Sequence, residues 1–422
     1  MVIYMFKLKK IFVISFYFLL ISIVALFSFS FFSKKNHKNN TNQDTVVLKK
    51  VKNSYVPSNK KFEESSNTKT GHKKSSSISL LNKQKECKLF VFIHGTILPY
   101  PSFSTLLKTL KGDKKSKLSK KSFHFKYLNN LRYKGIYKYQ TIDDPGLLKI
   151  KLCSEKKCSV QKKSSKKIAN CYNYYLNSDF VGKKCLDNNC FYYNFGWPGH
   201  LNQKRRYCAA DDLYKSLLKE IKRIKKKNKC NNVNVTILCH SHGGNVALKL
   251  ADLEKKYKKN LKIKNLIMFG TPIQKETSNL IHSDVFEKIY NVYSRGDPVQ
   301  VMDFVSTKSF YSKRKFHNNK KQNLPSKLVQ IEVRCGKLKP MHNELWFLRG
   351  NWNLLYRRRL SIAPYPVLVF TPIFKKVIDK DYSEAVNLQL NIEKQKNKYK
   401  FSFKDLNDKY QSRKYLVNLP VT

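Results

Sequence analysis

The stretch VTILCHSHGGNVAL, Val235–Leu248, changes character in its middle. Its first part belongs to an apolar run, Val233–Leu238, of the kind found in strands buried on both faces. Its last part continues as a helical pattern through Leu250 and Leu253. Between them Ser241 lies in a polar turn with the spacing small-His-Ser-His-Gly. A sharp strand-to-helix turn exposes a serine hydroxyl, and the residues two before and two after it must be small because the two backbones approach closely. Gly243 and Gly244 meet that need on the helix side, and Cys239 meets it with some crowding on the strand side. Exposure is one of two conditions for a nucleophilic serine; a base to take its proton is the other. A structural serine in a polar turn is the plainer alternative. His240 and His242 form an H-x-H pair, but flanking the serine they are expected to diverge rather than share a metal ion.

Outward from this turn the alternation recurs. CKLFVFIHGT carries the apolar run Leu89–Ile93, and FYYNFGWPG reads as a strand ending in a Pro-Gly turn. AADDLYKSLLKEIKRIKKK is amphipathic, with a stripe of Ala210, Leu213, Tyr214, Leu217, Ile221 and Ile224. Asp211 and Asp212 are expected near its start and the lysines near its end, in keeping with the helix dipole. Leu266–Phe269, Lys288–Ser294 and Lys327–Cys335 read as further strands. The pattern predicts an α/β fold, a doubly wound and mostly parallel sheet with helices on both faces. Near the C-terminus VNLQLNIEKQKNKYKFSF alternates apolar and polar about a lysine-rich turn, a predicted β-hairpin.

The chain has 422 residues and divides by composition. Residues 1–33 hold Lys7, Lys9 and Lys10 and then Ile11–Phe32, 22 residues without a charge. As a helix rising about 1.5 Å per residue, that run spans a hydrocarbon core of roughly 30 Å. Ser28-Phe29-Ser30 is a poor cleavage site, so an uncleaved signal-anchor is favoured over a cleaved signal peptide. Lysines on both sides orient the span only weakly. Either reading puts the remainder outside the cytoplasm, membrane-anchored or secreted. Residues 34–86 are rich in Lys, Asn and Ser and are expected to be a disordered linker. Residues 87–350 form the predicted core domain, interrupted by a long basic insertion at 97–189, and 351–422 a β-rich extension.

Cys153, Cys158, Cys171, Cys185 and Cys190 fall within 38 residues of the insertion, two pairs at C-x4-C spacing. In an exported chain this suggests disulfides. Zinc is the weaker rival, since no histidine accompanies the cluster. The net charge of +56 suits anionic partners such as an acidic membrane surface, although a lysine-rich composition explains it more simply. No recognisable nucleic-acid module is present, so DNA or RNA is only a weak alternative partner. Nothing in the sequence specifies an oligomeric state.

From Cys87 to about Leu348, the insertion aside, the chain resembles α/β-hydrolases of the lipase and esterase kind. The resemblance implies an oxyanion hole made by the backbone N–H groups of His242 and of Thr96, the latter following His-Gly in FVFIHGT. It implies an acid after a later strand. YNVYSRGDPVQ is similar to the N-D-x-V-P stretch of fungal-type lipases and offers Asp297, with Asp303 as fallback and Asp284 or Glu344 behind it. The base comes last in the chain. HNELWF offers His342, with His282 and His317 as competitors. FGTP, Phe269–Pro272, matches many hydrolases after the strand that follows the nucleophile helix. Cys239 in place of glycine and the length of the insertion depart from the family pattern.

The function implied is a serine hydrolase cleaving carboxylic esters through a Ser-Asp-His triad and an acyl-enzyme, with an ester or lipid as substrate and no metal or organic cofactor. Phospholipase, thioesterase or peptidase activity would use the same groups. A catalytically silent, membrane-anchored binding module is the reading from a different class.

Overall fold

The computed structural model describes residues 86–96, 146–152, 164–177, 189–199, 201–301, 303, 306–307, 311–318, 322–346, 360–363, 365–384, 386–396 and 398–418. These fall within the unit Ser79–Thr422. The charge-free run Ile11–Phe32, the linker, and Cys153, Cys158 and Cys185 lie outside the described residues. Among the described residues no helix is long and apolar enough to cross a membrane.

The elements in chain order are β1 (Glu86–Ile93), β2 (Gly146–Ile150), α1 (Ser164–Asn177), β3 (Cys190–Gly196), α2 (Gln203–Asn228), β4 (Asn232–His240), α3 (His242–Leu248), α4 (Leu250–Tyr257), β5 (Ile263–Phe269), β6 (Phe286–Tyr293), β7 (Leu328–Arg334), α5 (Thr371–Asp381), β8 (Asn387–Gln395), β9 (Lys398–Asp405) and β10 (Arg413–Asn418). The strands form one ten-stranded sheet in the order β10-β9-β8-β7-β6-β5-β4-β1-β3-β2. β3 through β8 across the middle run parallel, while β2, β9 and β10 are antiparallel to their neighbours. The mixed, mostly parallel α/β sheet agrees with the fold class read from the alternation.

β1 explains why the sheet needs cover on both sides. Phe90 and Phe92 point into one apolar cluster, with Tyr172 of α1 and Phe374 of α5. Leu89, Val91 and Ile93 point into the other, with Leu213 and Leu217 of α2 and Leu250 of α4. A strand whose successive side chains are all buried must lie between two layers. Two pieces of the expected insertion belong to this architecture. β2 pairs antiparallel with β3 at the sheet edge, and Tyr172 of α1 packs edge-on against Phe90 and Phe92. The predicted hairpin forms as β8 and β9, and it extends the main sheet beside β7.

α2 starts two turns earlier than its apolar stripe suggests. The side chain of Asn202 accepts from the backbone N–H groups of Lys204 and Arg205, satisfying donors that a helix start leaves open. Asp211 and Asp212 therefore lie in the third turn instead of the first, where Asp211 pairs with Lys215 at 2.6 Å. The lysines do occupy the last turn. The early start brings Arg206 into the interior.

Chain order sets where a site can form. From β1 the sheet grows to β3 and β2 on one side and, after α2 crosses, to β4 and its successors on the other. The reversal leaves a crevice at the C-terminal ends of β1 and β4, the usual ligand position in open α/β sheets.

Candidate active site

Ser241 closes β4 at that crevice. Its backbone has φ 51° and ψ −130°, a conformation that a residue with a side chain adopts only under constraint. The constraint is visible. The N–H of Ser241 donates to the carbonyl of Phe269 at the end of β5, and its own carbonyl accepts from Gly244, both at 2.9 Å. The requirement for small neighbours also has a geometric cause. A Cβ on Gly243 would lie 2.6 Å from the backbone oxygen of His94, and one on Gly244 would lie 2.1 Å from Oγ1 of Thr271. Cys239 is fully buried with its Sγ 3.5 Å from the carbonyl of Ile267, and burial pushes its thiol pKa well up, so it is a packing residue.

The segment after β1 lies directly against the turn. A Cβ on Gly95 would come within 2.6 Å of Cβ of Ser241. His94 fixes this segment: its Nδ1 donates to the carbonyl of Gly95 at 2.7 Å, and its Nε2 accepts from the N–H of Trp197 at 3.3 Å. The indole N–H of Trp197 donates to the carbonyl of His94 at 2.7 Å, with the two rings stacked. Thr96 follows. Its Oγ1 is buried without a hydrogen-bond partner, so a hydroxyl able to donate lies unsatisfied next to Ser241's neighbour Gly95.

Across β5, Asp297 and His342 meet. Nδ1 of His342 is 2.7 Å from Oδ2 of Asp297. The other carboxylate oxygen accepts from the backbone N–H groups of Val299 and Gln300 at 2.9 and 3.3 Å, and Arg314 holds the Asp297 carbonyl. Asp297 is therefore a sealed acceptor aimed at one imidazole nitrogen. Its side chain is 0% exposed, whereas that of His342 is 13% exposed, so the ring's free edge is reached from outside. Gly270 separates this pair from Phe269, the residue bonded to Ser241. A Cβ on Gly270 would lie 3.1 Å from Oδ2 of Asp297 and 3.2 Å from Nδ1 of His342.

The competing residues fall elsewhere. Asp303 joins His242, not His342: Nε2 of His242 is 3.2 Å from Oδ1 of Asp303. Asp284 is exposed just ahead of β6, at the opposite end of the sheet. Glu344 caps its own short helix by accepting from the N–H of Met341 at 2.8 Å. His282 also precedes β6, and His317 is exposed beside Lys313 and Lys315.

Two Asp–His pairs thus flank Ser241, and hydrogen-bond capacity separates them. Nδ1 of His342 is taken by Asp297, which leaves Nε2 with a lone pair once the ring is neutral. His242 has no such vacancy. Nη1 of Arg206 lies 2.7 Å from its Nδ1, and Asp303 takes its Nε2. As expected from the sequence, the rings of His240 and His242 go to different partners: His240 stacks on Trp346, and His242 meets Arg206. No motif in the sequence points to a role for Arg206 or Trp197. Arg206 carried a signal all the same, since it stands four residues before Ala210 on the apolar stripe of α2.

The family model for lipase (class 3) matches residues 159–306. The match runs from α1 through the turn at Ser241 to Asp303 and Ser306. No curated protein matches the chain.

Proposed function

We propose, from the match of residues 159–306 to the class 3 lipase family, that the chain is an α/β-hydrolase serine hydrolase in which Ser241, His342 and Asp297 cleave a carboxylic ester through an acyl-enzyme. The family match supports a lipase-like ester hydrolase with a lipid or ester substrate. The observation that carries the finer reading is the pairing of His342 with a sealed carboxylate beside a strained serine turn.

In the first step Nε2 of His342 takes the Ser241 proton as Oγ attacks the acyl carbonyl carbon. Asp297 keeps the remaining ring proton on Nδ1 and stabilises the imidazolium. The backbone N–H groups of Thr96 and His242 receive the negative charge on the carbonyl oxygen. Losing one such donor typically costs about 3–4 kcal/mol of transition-state stabilisation. His342 then protonates the departing alcohol. In the second half water attacks the acyl-enzyme, with His342 again as base. No step calls on a metal or an organic cofactor.

The charge-free run Ile11–Phe32 supports a membrane-tethered or secreted chain with its catalytic domain outside the cytoplasm. The net charge of +56 supports contact with an anionic lipid surface. A fluorophosphonate probe tests the nucleophile: the wild-type chain is expected to label and Ser241→Ala to remain unlabelled. Labelling that survives the substitution removes Ser241 from the role. p-Nitrophenyl esters of rising chain length define the acyl group, and absence of turnover on all of them removes the esterase reading.

A further inference from the structure

We propose that Arg206, His242 and Asp303 form a positioning unit that holds the peptide carrying the His242 N–H, so that this donor points at the developing oxyanion. The inference rests on the reading of Ser241 as the nucleophile.

The hydrogen-bond inventory decides the state of the His242 ring. A guanidinium only donates, so Nδ1 facing Nη1 of Arg206 at 2.7 Å presents its lone pair. Asn245 approaches the same nitrogen with its amide N–H groups at 3.4 Å. The single ring proton is then on Nε2, between Oδ1 of Asp303 at 3.2 Å and Oγ of Ser306 at 3.3 Å. A second proton on Nδ1 would oppose N–H to N–H. Burial and the Arg206 charge both lower the pKa of His242, in agreement with a neutral ring. Asp303 stays ionised: burial would raise its pKa, but His242, Ser306 and Gln274 together hold it below the usual carboxylate range.

The unit is tied at both ends to other parts of the fold. Nη2 of Arg206, from the first turn of α2, donates to the carbonyl of Ser306 at 2.8 Å and reaches Oε1 of Gln274 at 3.3 Å. Gln274, after β5, donates to Oδ2 of Asp303 at 2.5 Å and to Oγ of Ser306 at 2.8 Å. Ser306 also donates to Oδ1 of Asp303. Arg206 and Gln274 are wholly buried, and His242, Asp303 and Ser306 are nearly so.

Position then matters. The two residues after His242 are glycines and offer no side chain to anchor the turn. Beside the bond that the Ser241 carbonyl accepts from Gly244, the side-chain hold on the Ser241–His242 peptide comes through the His242 ring. An apolar side chain would fill that space without desolvating an arginine and an aspartate, so the polar set is the more costly way to fill it. Its return is a ring held from two sides by opposite charges. With both nitrogens engaged the ring is also no rival to His342 as base.

The charged and titratable groups that face His242 are Arg206 from α2, Asp303 from the loop after β6, and His342 from the segment after β7. His240 stands two residues before it, and Glu276 faces Arg206.

The test uses the full-length chain. His242→Leu retains the backbone N–H and removes the grip; Arg206→Met removes one end. Both are expected to lower kcat on p-nitrophenyl butyrate by about 10- to 100-fold, with KM changed by less than about threefold. The triple variant Arg206→Met/His242→Leu/Asp303→Leu replaces the set by apolar volume. It is expected to melt near the wild-type temperature while keeping the reduced kcat, and it carries the test if the single variants unfold. In Arg206→Met the freed Nδ1 can take a second proton while Nε2–H still faces Asp303, so the acid limb of kcat/KM should steepen from a one-proton to a two-proton dependence. In Arg206→Met/His242→Leu it should return to one proton. Without any substitution, nitrogen-15 shifts of His242 should show a neutral ring protonated at Nε2 from pH 7 to 8.

Wild-type kcat in folded His242→Leu or in the folded triple variant overturns the inference and leaves the esterase reading intact. A His242 ring that gains a proton in that range overturns it too. A wild-type chain that neither labels at Ser241 nor turns over ester overturns both.

Discussion

The backbone carbonyl of His342 accepts the Nε2–H of His240 at 3.1 Å, and the two imidazoles lie 4.4 Å apart. The residue before the proposed nucleophile thus holds the main chain of the proposed base, 102 positions later. His240 is itself fixed by stacking on Trp346. His240→Phe should keep the stacking and lose the hydrogen bond. Stability is expected to fall by about 1 kcal/mol. Steady-state kinetics should show kcat lower by about tenfold at nearly constant KM, because the base is displaced rather than removed.

Asp297→Asn leaves an acceptor for the N–H groups of Val299 and Gln300 but turns an amide toward Nδ1 of His342. The ring would then carry its proton on Nε2, the wrong side for a base. A loss in kcat of about 10⁴-fold is expected with the fold retained, measured beside the melting curve. A loss below about tenfold would remove Asp297 from its proposed role.

Gly95 separates effects on activity from effects on stability. Its added Cβ would meet Cβ of Ser241 at 2.6 Å, a side chain at the reacting centre. At Gly243 the added Cβ would meet the backbone oxygens of His94 and Ile93 at 2.6 and 2.8 Å, which cannot move aside without shifting β1. Gly243→Ala is expected to cost about 1–3 kcal/mol in denaturant titrations. Gly95→Ala should lower probe-labelling rate before it lowers stability.

Acid should destabilise the domain through two buried histidines. Burial first, and then the charge of His342 for His240 and of Arg206 for His242, lower both pKa values in the fold. Unfolded, each ring titrates near 6.5. Below that pH the unfolded chain binds protons that the folded chain refuses, so the stabilisation present above about pH 6.5 declines as pH falls. Melting temperatures between pH 7 and 5 should drop, and His240→Phe should flatten that slope. An unchanged slope would mean that His240 is not held neutral.

What could be read from the sequence follows a physical divide. Ser241, Asp297 and His342 are legible as candidates because each follows a strand with a clear apolar run, and parallel strands deliver their C-terminal ends to one edge. The second pair was not legible as a pair. The sequence offers Asp303 as a substitute acid and His242 as an oxyanion donor and as half of an H-x-H pair, with nothing to join the two. Their side-chain partner, Arg206, lies in a helical turn created by Asn202, ahead of the stretch where the apolar period is obvious. Sequence periodicity reports which face is buried, but not which polar groups the buried face brings together. β2 and α1 were hidden for a related reason. A five-residue edge strand and a helix with Asn and Lys among its apolar positions give weak periodic signals inside a lysine-rich segment.

The N–H of Ser241 is stitched to the strand beside its own, and its unfavourable backbone angles persist only while β4 and β5 remain side by side. Such a posture has no local way to relax, since loosening it means parting the centre of the sheet. Heat inactivation and the global melting transition should therefore coincide, with no inactive yet compact species between them. The reacting hydroxyl reports, in effect, on the integrity of the whole scaffold.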